Sequence, residues 1–310
     1  MRIINNILIT GATGYIGSNL ARILVANSVD VHIIVRETSS LLPLSDVINK
    51  IIIHVHDGSF DSILNIVSSS KPDVVIHLAS EYVLNNKSPQ IKSLLNNNVT
   101  FPSQLLEAMS VCGVTKFINT GTSWKYYNSE DYQPVNLYAA TKKAFEDILT
   151  YYVDVFSWNV VTLNLFDTYG PNDKRKKVIN LLLDTAISSN ELQLSPGEQL
   201  IDLVYISDVV SAYVRTIEIV KKMDTGHDQY GLSSESPIKL KDLVLICEKS
   251  WGIKLPVLWG ARPYREREVM KPWTSYKRLP NWKPEMQLLD GLKVVYSHLS
   301  FDEKYKISTL

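Results

Sequence analysis

The stretch Ile7-Leu-Ile-Thr-Gly-Ala-Thr-Gly-Tyr-Ile-Gly17 joins a short β-branched run to three glycines spaced G-x-x-G-x-x-G, and an amphipathic segment, 14–26, follows at once. Glycines at these positions let the chain turn tightly between a strand and a helix. They also let backbone N–H groups approach a pyrophosphate, and the helix N-terminus adds partial positive charge. We therefore predict a dinucleotide-binding turn here; a plain tight turn is the alternative interpretation.

Short apolar runs alternate with amphipathic stretches along the first half of the chain. Runs that carry few polar residues are typical of strands buried on both faces of a parallel sheet. The alternation therefore predicts an α/β fold, a doubly wound parallel (Rossmann) sheet with helices on both faces. The predicted strands are 7–10, 31–35, 51–55, 73–78, 116–120 and 159–165, and the predicted helices are 14–26, 62–69, 88–111 and 138–156.

The pattern changes after Gly170-Pro171. We expect the basic stretch 174–177 to open a helix, a strand to lie near 202–206 and another helix to start at Ser207. Residues 231–310 hold six of the 13 prolines and four of the six tryptophans, which indicates a loop-rich, aromatic segment. We predict a dinucleotide-binding domain over 1–170, to which 203–230 returns. A smaller substrate-binding domain would comprise 171–202 and 231–310.

Composition excludes several classes of protein. The 310 residues carry 32 basic and 32 acidic side chains, so a globally basic nucleic-acid binder is not expected. The sequence has no apolar run of the ~18–20 residues that a membrane span needs and no signal-peptide pattern at its start. Cys112 and Cys247 lie in apolar surroundings without metal-ligand spacing, so we expect reduced core cysteines, no metal site and a cytoplasmic protein.

The end of the second predicted strand bears on the choice of cofactor. Arg36 and nearby hydroxyls suit the 2′-phosphate of NADP(H), which we favour, whereas Glu37 as a ribose partner would favour NAD(H). Asp57-Gly58 follows the third strand, where it either contacts adenine or forms an ordinary turn. Small residues in His77-Leu-Ala-Ser80 would let a cofactor lie against the backbone, and His77 itself is more simply a core histidine.

The pentapeptide Tyr138-Ala-Ala-Thr-Lys142 predicts acid–base chemistry. Residues i and i+4 share a helix face, and an ammonium near a phenol lowers the pKa of the tyrosine. The preceding strand ends in Thr120-Gly-Thr-Ser123, where Thr122 could donate a hydrogen bond to a substrate oxygen. We predict Thr122, Tyr138 and Lys142 as catalytic residues.

The glycine motif and this triad resemble those of the extended short-chain dehydrogenase/reductase family of nucleotide-sugar epimerases, dehydratases and reductases. Within that family the chain is most similar to 4-ketoreductases of the CDP-abequose and CDP-paratose synthase type. The motifs that carry the likeness are Asn98 and the segments 119–124, 165–173, 194–199, 203–208, 263–268 and 279–284.

The resemblance implies a full set of site residues. Lys142 would also hold the nicotinamide ribose, together with Tyr138. The remaining cofactor-binding residues would be Gly11, Thr13, Gly14, Tyr15, Ile16, Gly17, Arg36, Asp57, Gly58, Leu78, Ala79, Ser80, Asn98, Thr120 and Leu165. The substrate-binding residues would be Glu81, Ser123, Trp124, Asp167, Lys176, Gln199 and Arg265.

Two departures from the family pattern bear on which reaction is expected and on which residues would bind the nucleotide. Ser123-Trp124 stand where family dehydratases carry an Asp-Glu pair, so dehydration is not expected. Ile201 replaces an arginine beside the nucleotide, and Arg265 is our candidate for a diphosphate clamp, with a solvated loop charge as the alternative. The 174–177 stretch is more simply a solvated helix start than a phosphate contact.

The function that the resemblance implies is NADPH-dependent reduction of the C4 keto group of a nucleoside-diphosphate 4-keto-6-deoxy or 4-keto-3,6-dideoxy hexose, in O-antigen sugar biosynthesis. A CDP-linked substrate is favoured. The alternatives are an NAD-dependent 4-epimerase and a non-catalytic NADP-sensing protein. Family resemblance further implies a homodimer through 88–111 and 138–156, with neither nucleic acid nor membrane as a partner.

Overall fold

The computed structural model describes residues 5–82, 88–127 and 131–300. The strands are β1 (Asn6–Thr10), β2 (Asp30–Arg36), β3 (Ile51–His56), β4 (Val74–His77), β5 (Lys116–Thr122), β6 (Asn159–Leu165), β7 (Asp167–Tyr169), β8 (Leu192–Leu194), β9 (Leu200–Ile201), β10 (Leu203–Tyr205), β11 (Gly226–Leu232), β12 (Ile238–Lys239) and β13 (Val257–Trp259). The α-helices are α1 (Tyr15–Ala26), α2 (Phe60–Ser70), α3 (Ser88–Leu95), α4 (Phe101–Val111), α5 (Leu137–Phe156), α6 (Val178–Ser188), α7 (Ile206–Lys222), α8 (Leu240–Trp251) and α9 (Leu288–Ser297). Three-residue 3₁₀ turns include Ser123–Lys125.

Seven strands form one parallel sheet in the order β11-β6-β5-β4-β1-β2-β3. The order reverses on either side of β1, so the crossovers leave a crevice at the carboxyl ends of β1 and β4. Open α/β sheets bind their ligands at such a crevice. The prediction of a doubly wound parallel sheet is confirmed.

Alternate residues of the central strand point into two separate cores. Ile7 and Ile9 belong to the cluster that contains α1 and α7, whereas Leu8 belongs to the cluster that contains α2, α4 and α5. All three side chains are fully buried. This burial on both faces explains why the strand sequences are apolar runs without polar alternation.

The first of these cores continues into the C-terminal part of the chain. Leu240, Leu243 and Trp251 of α8 and Leu292 of α9 belong to the same cluster as Ile7 and Ile9. The proposed substrate-binding domain therefore packs on the sheet through a shared core. In the described part of the chain, no helix is both long and apolar enough to cross a membrane.

The structure departs from the sequence-based expectations at three places. The helix expected over 88–111 is interrupted by a π-helical turn, Asn96–Thr100, in which the Asn98 side chain is buried. The basic stretch 174–177 precedes α6, which begins at Val178, and Lys177 is the N-cap residue of this helix. Cys247 is buried as expected, but Cys112 is only half-buried because it follows the last turn of α4.

Candidate active site

The glycine turn brings the end of β1 against the segment that follows β4. Gly11 has φ of +73°, and a Cβ there would collide with the backbone of Leu78 and Ala79. A Cβ on Gly17 would collide with the Gly11 carbonyl, so α1 packs on the turn itself. Gly14 is the N-cap of α1 and no side chain caps its first turn, which leaves backbone N–H groups for a ligand. This geometry fits the pyrophosphate of a dinucleotide.

Three of the predicted cofactor residues in and beside this turn have distinct environments. Thr13 is half-buried on the turn. The Tyr15 hydroxyl donates to the Pro171 carbonyl at 3.2 Å, and the Arg175 guanidinium lies 4.7 Å from the centre of the Tyr15 ring. Tyr15 therefore fastens α1 to the 171–175 segment, while Ile16 packs against the sheet core.

Arg36 and Asp57 lie at the carboxyl ends of β2 and β3, beyond the glycine turn. Arg36 is exposed, and its backbone N–H donates to the Ser39 hydroxyl at 3.0 Å. The Asp57 carboxylate accepts from the Ser59 N–H at 2.8 Å, so Asp57 and Gly58 form the turn that starts α2. Hydrogen bonding with Ser59 holds the pKa of Asp57 below its usual value.

Asn98 ties the loop after β4 to helix α5. Its side-chain oxygen accepts from the Ser80 hydroxyl at 3.1 Å and from the Glu81 N–H at 2.8 Å. Its amide donates to the Glu81 carbonyl at 2.9 Å and to the Thr141 hydroxyl at 3.1 Å. Each of these bonds is to protein, so Asn98 positions Ser80 beside the first turn of α5.

Thr122 and Tyr138 lie on two elements that pack together, β5 and α5. Thr122 is the last residue of β5 and accepts from the Trp124 N–H at 3.2 Å, and its register partner on β6 is Leu165. Helix α5 begins beside it because Asn136 caps the helix by accepting from the Ala139 N–H at 3.0 Å. This places Tyr138 in the first turn. Two residues back on β5, Thr120 hydrogen-bonds to Tyr213 of α7 at 2.7 Å.

The pKa values of the tyrosine and the lysine are both perturbed. Burial raises the pKa of Tyr138, against the opposing effects of the Lys177 charge, hydrogen bonding with Ser80 and the Arg175 charge. Burial lowers the pKa of Lys142 to about 8, in spite of the Glu146 carboxylate. The sequence-based hypothesis assigned the lowering of the Tyr138 pKa to Lys142, whereas in this structure Lys177 is the principal cation that acts on the phenol.

A cleft of about 680 Å³ opens beside these residues, between the sheet and the C-terminal segments. Six of the seven predicted substrate-binding residues line it: Ser123, Trp124, Asp167, Lys176, Gln199 and Arg265. Glu81 is the seventh, and its carboxylate instead accepts from the Ser93 hydroxyl and the Asn97 amide, both at 2.6 Å. Its neighbour Tyr82 lines the cleft in its place.

The Lys177 ammonium is held in place by its neighbours in the lining of this cleft. Lys177 Nζ donates to Asp167 Oδ1 at 2.8 Å, and lies 5.1 Å from the ring centre of Tyr82 and 5.7 Å from that of Trp124. The Tyr82 ring packs edge-on against Tyr138 at 5.2 Å. Lys177 thus belongs to the same cluster as the phenol, although the sequence analysis selected its neighbour Lys176.

Hydrogen-bond donors of Arg267 and Trp273, both in the C-terminal segment, line another part of the cleft and have no partner among the residues that the structure describes. The Arg267 guanidinium stacks on Tyr127 at 4.6 Å, and its Nε and Nη2 atoms are buried without a hydrogen-bond partner. Trp273 stacks on Tyr126 at 4.1 Å, and its indole N–H is also buried and unpaired. Arg265, in contrast, is exposed. Buried donors without acceptors are costly, so this part of the cleft suits a ligand rich in acceptor oxygens.

The family assignment follows from a match over most of the chain. Residues 7–230 match the model of the NAD dependent epimerase/dehydratase family. This chain belongs to that family, which confirms the resemblance identified from its motifs.

Two individual relatives have the same name, CDP-abequose synthase. The chain is 30% identical over 286 residues to CDP-abequose synthase of Yersinia pseudotuberculosis, which covers 91% of this chain and 96% of the relative. It is 26% identical to CDP-abequose synthase of Salmonella typhimurium, over 94% of this chain and 98% of the relative.

Solved structures agree with the fold. The UDP-glucose 4-epimerase of Thermotoga maritima superposes with a TM-score of 0.83 at 21% identity, over 94% of this chain and 98% of the epimerase. A UDP-glucuronic acid 4-epimerase from Bacillus cereus, solved with UDP-glucuronic acid and NAD, gives a TM-score of 0.83 at 24% identity, over 94% of this chain and 98% of that one.

Proposed function

We propose that this protein is a reductase that uses NADPH to reduce the C4 keto group of a nucleoside-diphosphate 4-keto-6-deoxy or 4-keto-3,6-dideoxy hexose. The observation that carries the proposal is the position of Thr122 and Tyr138 between the glycine turn and the donor-lined cleft. A dinucleotide on the turn and a sugar nucleotide in the cleft would meet at these two side chains. The similarity to CDP-abequose synthases supports a CDP-linked sugar made for O-antigen.

Each residue of the site has its own role in the proposed reduction. When bound, the reduced nicotinamide supplies a hydride to C4. Tyr138 donates its phenolic proton to the C4 oxygen, which becomes the product hydroxyl, and Thr122 donates a hydrogen bond to the same oxygen. Lys142 would hold the nicotinamide ribose, and the charge of Lys177 would stabilise the phenolate left on Tyr138.

The cleft fits the other parts of the substrate. The unpaired N–H groups of Arg267 and Trp273 suit the diphosphate oxygens, with Arg265 and Lys176 at the more exposed rim. The rings of Tyr82 and Trp124 present an apolar wall near Tyr138, which suits a hexose that lacks hydroxyls at C6 or at C3 and C6. Dehydration is not favoured, because Ser123 and Trp124 carry no acid to protonate a leaving hydroxyl.

NADPH is the proposed cofactor because Arg36 is exposed at the end of β2, where a 2′-phosphate would lie. A homodimer is proposed through α4 and α5, since Val111, Tyr151, Val155 and Phe156 are all more than 40% exposed on these helices. The proposed cofactor and substrate support a cytoplasmic location, because NADPH and sugar nucleotides are available there.

The decisive experiment incubates the protein with CDP-, GDP-, dTDP- and UDP-linked 4-keto-6-deoxy and 4-keto-3,6-dideoxy hexoses and with NADPH or NADH. A reductase consumes one NADPH for each product formed, and the CDP-linked sugar should react fastest. A 4-epimerase would interconvert 4-hydroxy sugar nucleotides without net consumption, and a sensor would bind NADPH without turnover. Either result would contradict the proposal. The Tyr138→Phe variant is the matched control for background reduction.

A further inference from the structure

A buried ion pair lies behind the proposed catalytic residues and has no part in the chemistry described so far. Lys125 is 1% exposed and Glu146 is 2% exposed. The Lys125 ammonium lies 2.7 Å from Oε1 and 2.6 Å from Oε2 of Glu146, and 3.4 Å from the Gln229 side-chain oxygen. Both carboxylate oxygens of Glu146 are therefore engaged by one cation.

The pair joins the two elements that carry the site. Lys125 ends the 3₁₀ turn that starts directly after Thr122. Glu146 follows Lys142 by one turn of α5, so the two side chains share a face of the helix. A Cβ on Gly121 would lie 3.1 Å from Glu146 Oε1, which shows how closely the carboxylate approaches the strand that ends at Thr122.

Glu146 is also the anion that acts on Lys142. After burial, which lowers the Lys142 pKa, the Glu146 carboxylate is the next influence and raises it, and Lys125 opposes that effect. His77 faces the same region from β4, but burial and then the Lys142 charge hold its pKa well below the usual value, so it adds no charge. Tyr138 is the remaining titratable group on this face of α5.

We propose that Lys125 is a positioning residue for Lys142. By engaging both oxygens of Glu146, Lys125 prevents that carboxylate from pairing with the Lys142 ammonium one turn away and leaves Lys142 available to the cofactor. Glu146 without Lys125 would be a buried charge, and Lys142, one turn away and itself buried, is a cation on which this carboxylate already acts. Because an uncompensated buried charge is strongly unfavourable, the two would pair. Lys142 would then be withdrawn from the site.

The inference rests on the proposed function for the task of Lys142, and its test separates the two. Four variants are compared with the unmodified protein: Lys125→Met, Glu146→Gln, the double variant, and Lys143→Met. The last is the matched control, because the half-buried Lys143 is a neighbouring lysine on the same helix and forms an i,i+4 pair with the exposed Asp147. The measurements are the Lys142 pKa, from an NMR titration of ¹³C-lysine-labelled protein assigned with Lys142→Arg, and the dissociation constant of NADPH.

The expected results have opposite signs in the two single variants. The Lys142 pKa should rise above about 8 in Lys125→Met and fall below it in Glu146→Gln. Lys125→Met should weaken NADPH binding roughly 10-fold or more, since a charge-assisted hydrogen bond is lost, and the double variant should recover most of that loss. Lys143→Met should change neither quantity.

An unchanged Lys142 pKa in Glu146→Gln, or equal NADPH affinity in Lys125→Met and the double variant, would overturn the inference. If Lys125→Met fails to fold, Glu146→Gln and the double variant carry the test, because the Lys142 pKa should fall in the first and recover towards the original value in the second. Failure of the proposed function would show separately, as an unmodified protein that reduces none of the 4-keto sugars.

Discussion

Lys177 Nζ lies 2.8 Å from Asp167 Oδ1, and this ion pair fixes a cation beside the rings that surround Tyr138. Lys177 is the first of the groups that oppose the effect of burial on the Tyr138 pKa. A proton donor that must become an anion benefits from such a charge, because the charge stabilises the phenolate formed during the reaction. The pair therefore gives Asp167 a second task besides lining the cleft.

Replacing Lys177 by methionine should change the pH dependence of reduction. Burial raises the Tyr138 pKa and Lys177 lowers it, so Lys177→Met should raise it further. Reduction needs the protonated phenol and is lost as pH rises through this pKa, so the alkaline limb of the kcat profile should move to higher pH. The rate at neutral pH should fall about tenfold, the scale of one charge-assisted interaction. Lys174→Met, which removes an exposed lysine of the same segment, should leave the limb in place, and equal profiles for both variants would contradict the assignment.

Tyr138→Phe should abolish turnover while NADPH binding stays within a few-fold of the original. The substitution removes the proton that Tyr138 gives to the C4 oxygen, and a positioned general acid contributes about 10²–10⁴-fold. Steady-state rates and fluorescence titration with NADPH measure the two effects separately. A rate within tenfold of the unmodified enzyme would remove Tyr138 from the mechanism.

Arg36→Ala should weaken NADPH much more than NADH. A charge-assisted bond to the 2′-phosphate contributes about 1.5–3 kcal/mol, which corresponds to roughly 10–150-fold in the dissociation constant. Binding of NADPH should also become less sensitive to salt, because a charge contact has been removed. Equal weakening of both cofactors would give Arg36 a structural role. If the unmodified protein binds NADH more tightly, Glu37 becomes the ribose partner and Glu37→Gln is the variant to test.

Arg267→Met should raise the KM for the sugar nucleotide by roughly 10–150-fold, with a smaller change in kcat. Its buried, unpaired N–H groups suit the diphosphate, and a lost charge-assisted bond has this magnitude. Arg265→Met is the matched comparison, because Arg265 lines the same cleft but is exposed and should contribute less. A larger rise in KM in Arg265→Met than in Arg267→Met would instead support Arg265 as the residue that binds the diphosphate, as the sequence analysis expected.

Breaking the Lys125–Glu146 pair should lower stability more than removing it altogether. Lys125→Met leaves the Glu146 carboxylate buried with Lys142 to pair with, and complete loss of one partner of a buried pair costs about 3–5 kcal/mol, which is the upper limit expected here. The double variant Lys125→Met, Glu146→Gln leaves no buried charge at the pair and should be closer to the original. Urea unfolding followed by circular dichroism measures both. A double variant less stable than Lys125→Met would contradict the expectation.

The sequence predicted those parts of the fold and site that depend on local pattern. The apolar runs identify β1 to β6 because both faces of the sheet are covered, and the glycine turn follows from its spacing between a strand and a helix. The spacing of Tyr138 and Lys142 places both on one helix face. These features depend on residues that are close together in the sequence, so they can be predicted from local sequence patterns.

Other features depend on contacts between distant segments. Nothing in the stretch 174–177 distinguishes Lys177 from Lys176, and only the pairing with Asp167 selects it. Arg267 rather than Arg265 has the buried guanidinium because Tyr127, far away in the chain, covers it. The π-helical turn around Asn98 likewise arises from bonds to Ser80, Glu81 and Thr141.

The short turn Ser123–Lys125 has a consequence for redesign and for evolutionary change. Within four consecutive residues the chain holds Thr122 at the end of β5, Trp124 in the wall of the cleft and the buried Lys125. A substitution of Trp124 that changes which hexose is bound must leave the backbone at Thr122 and Lys125 undisturbed. If the proposed function holds, sugar preference and proton transfer cannot be changed independently at this turn, and variants with new specificity are more readily obtained by changing the C-terminal side of the cleft.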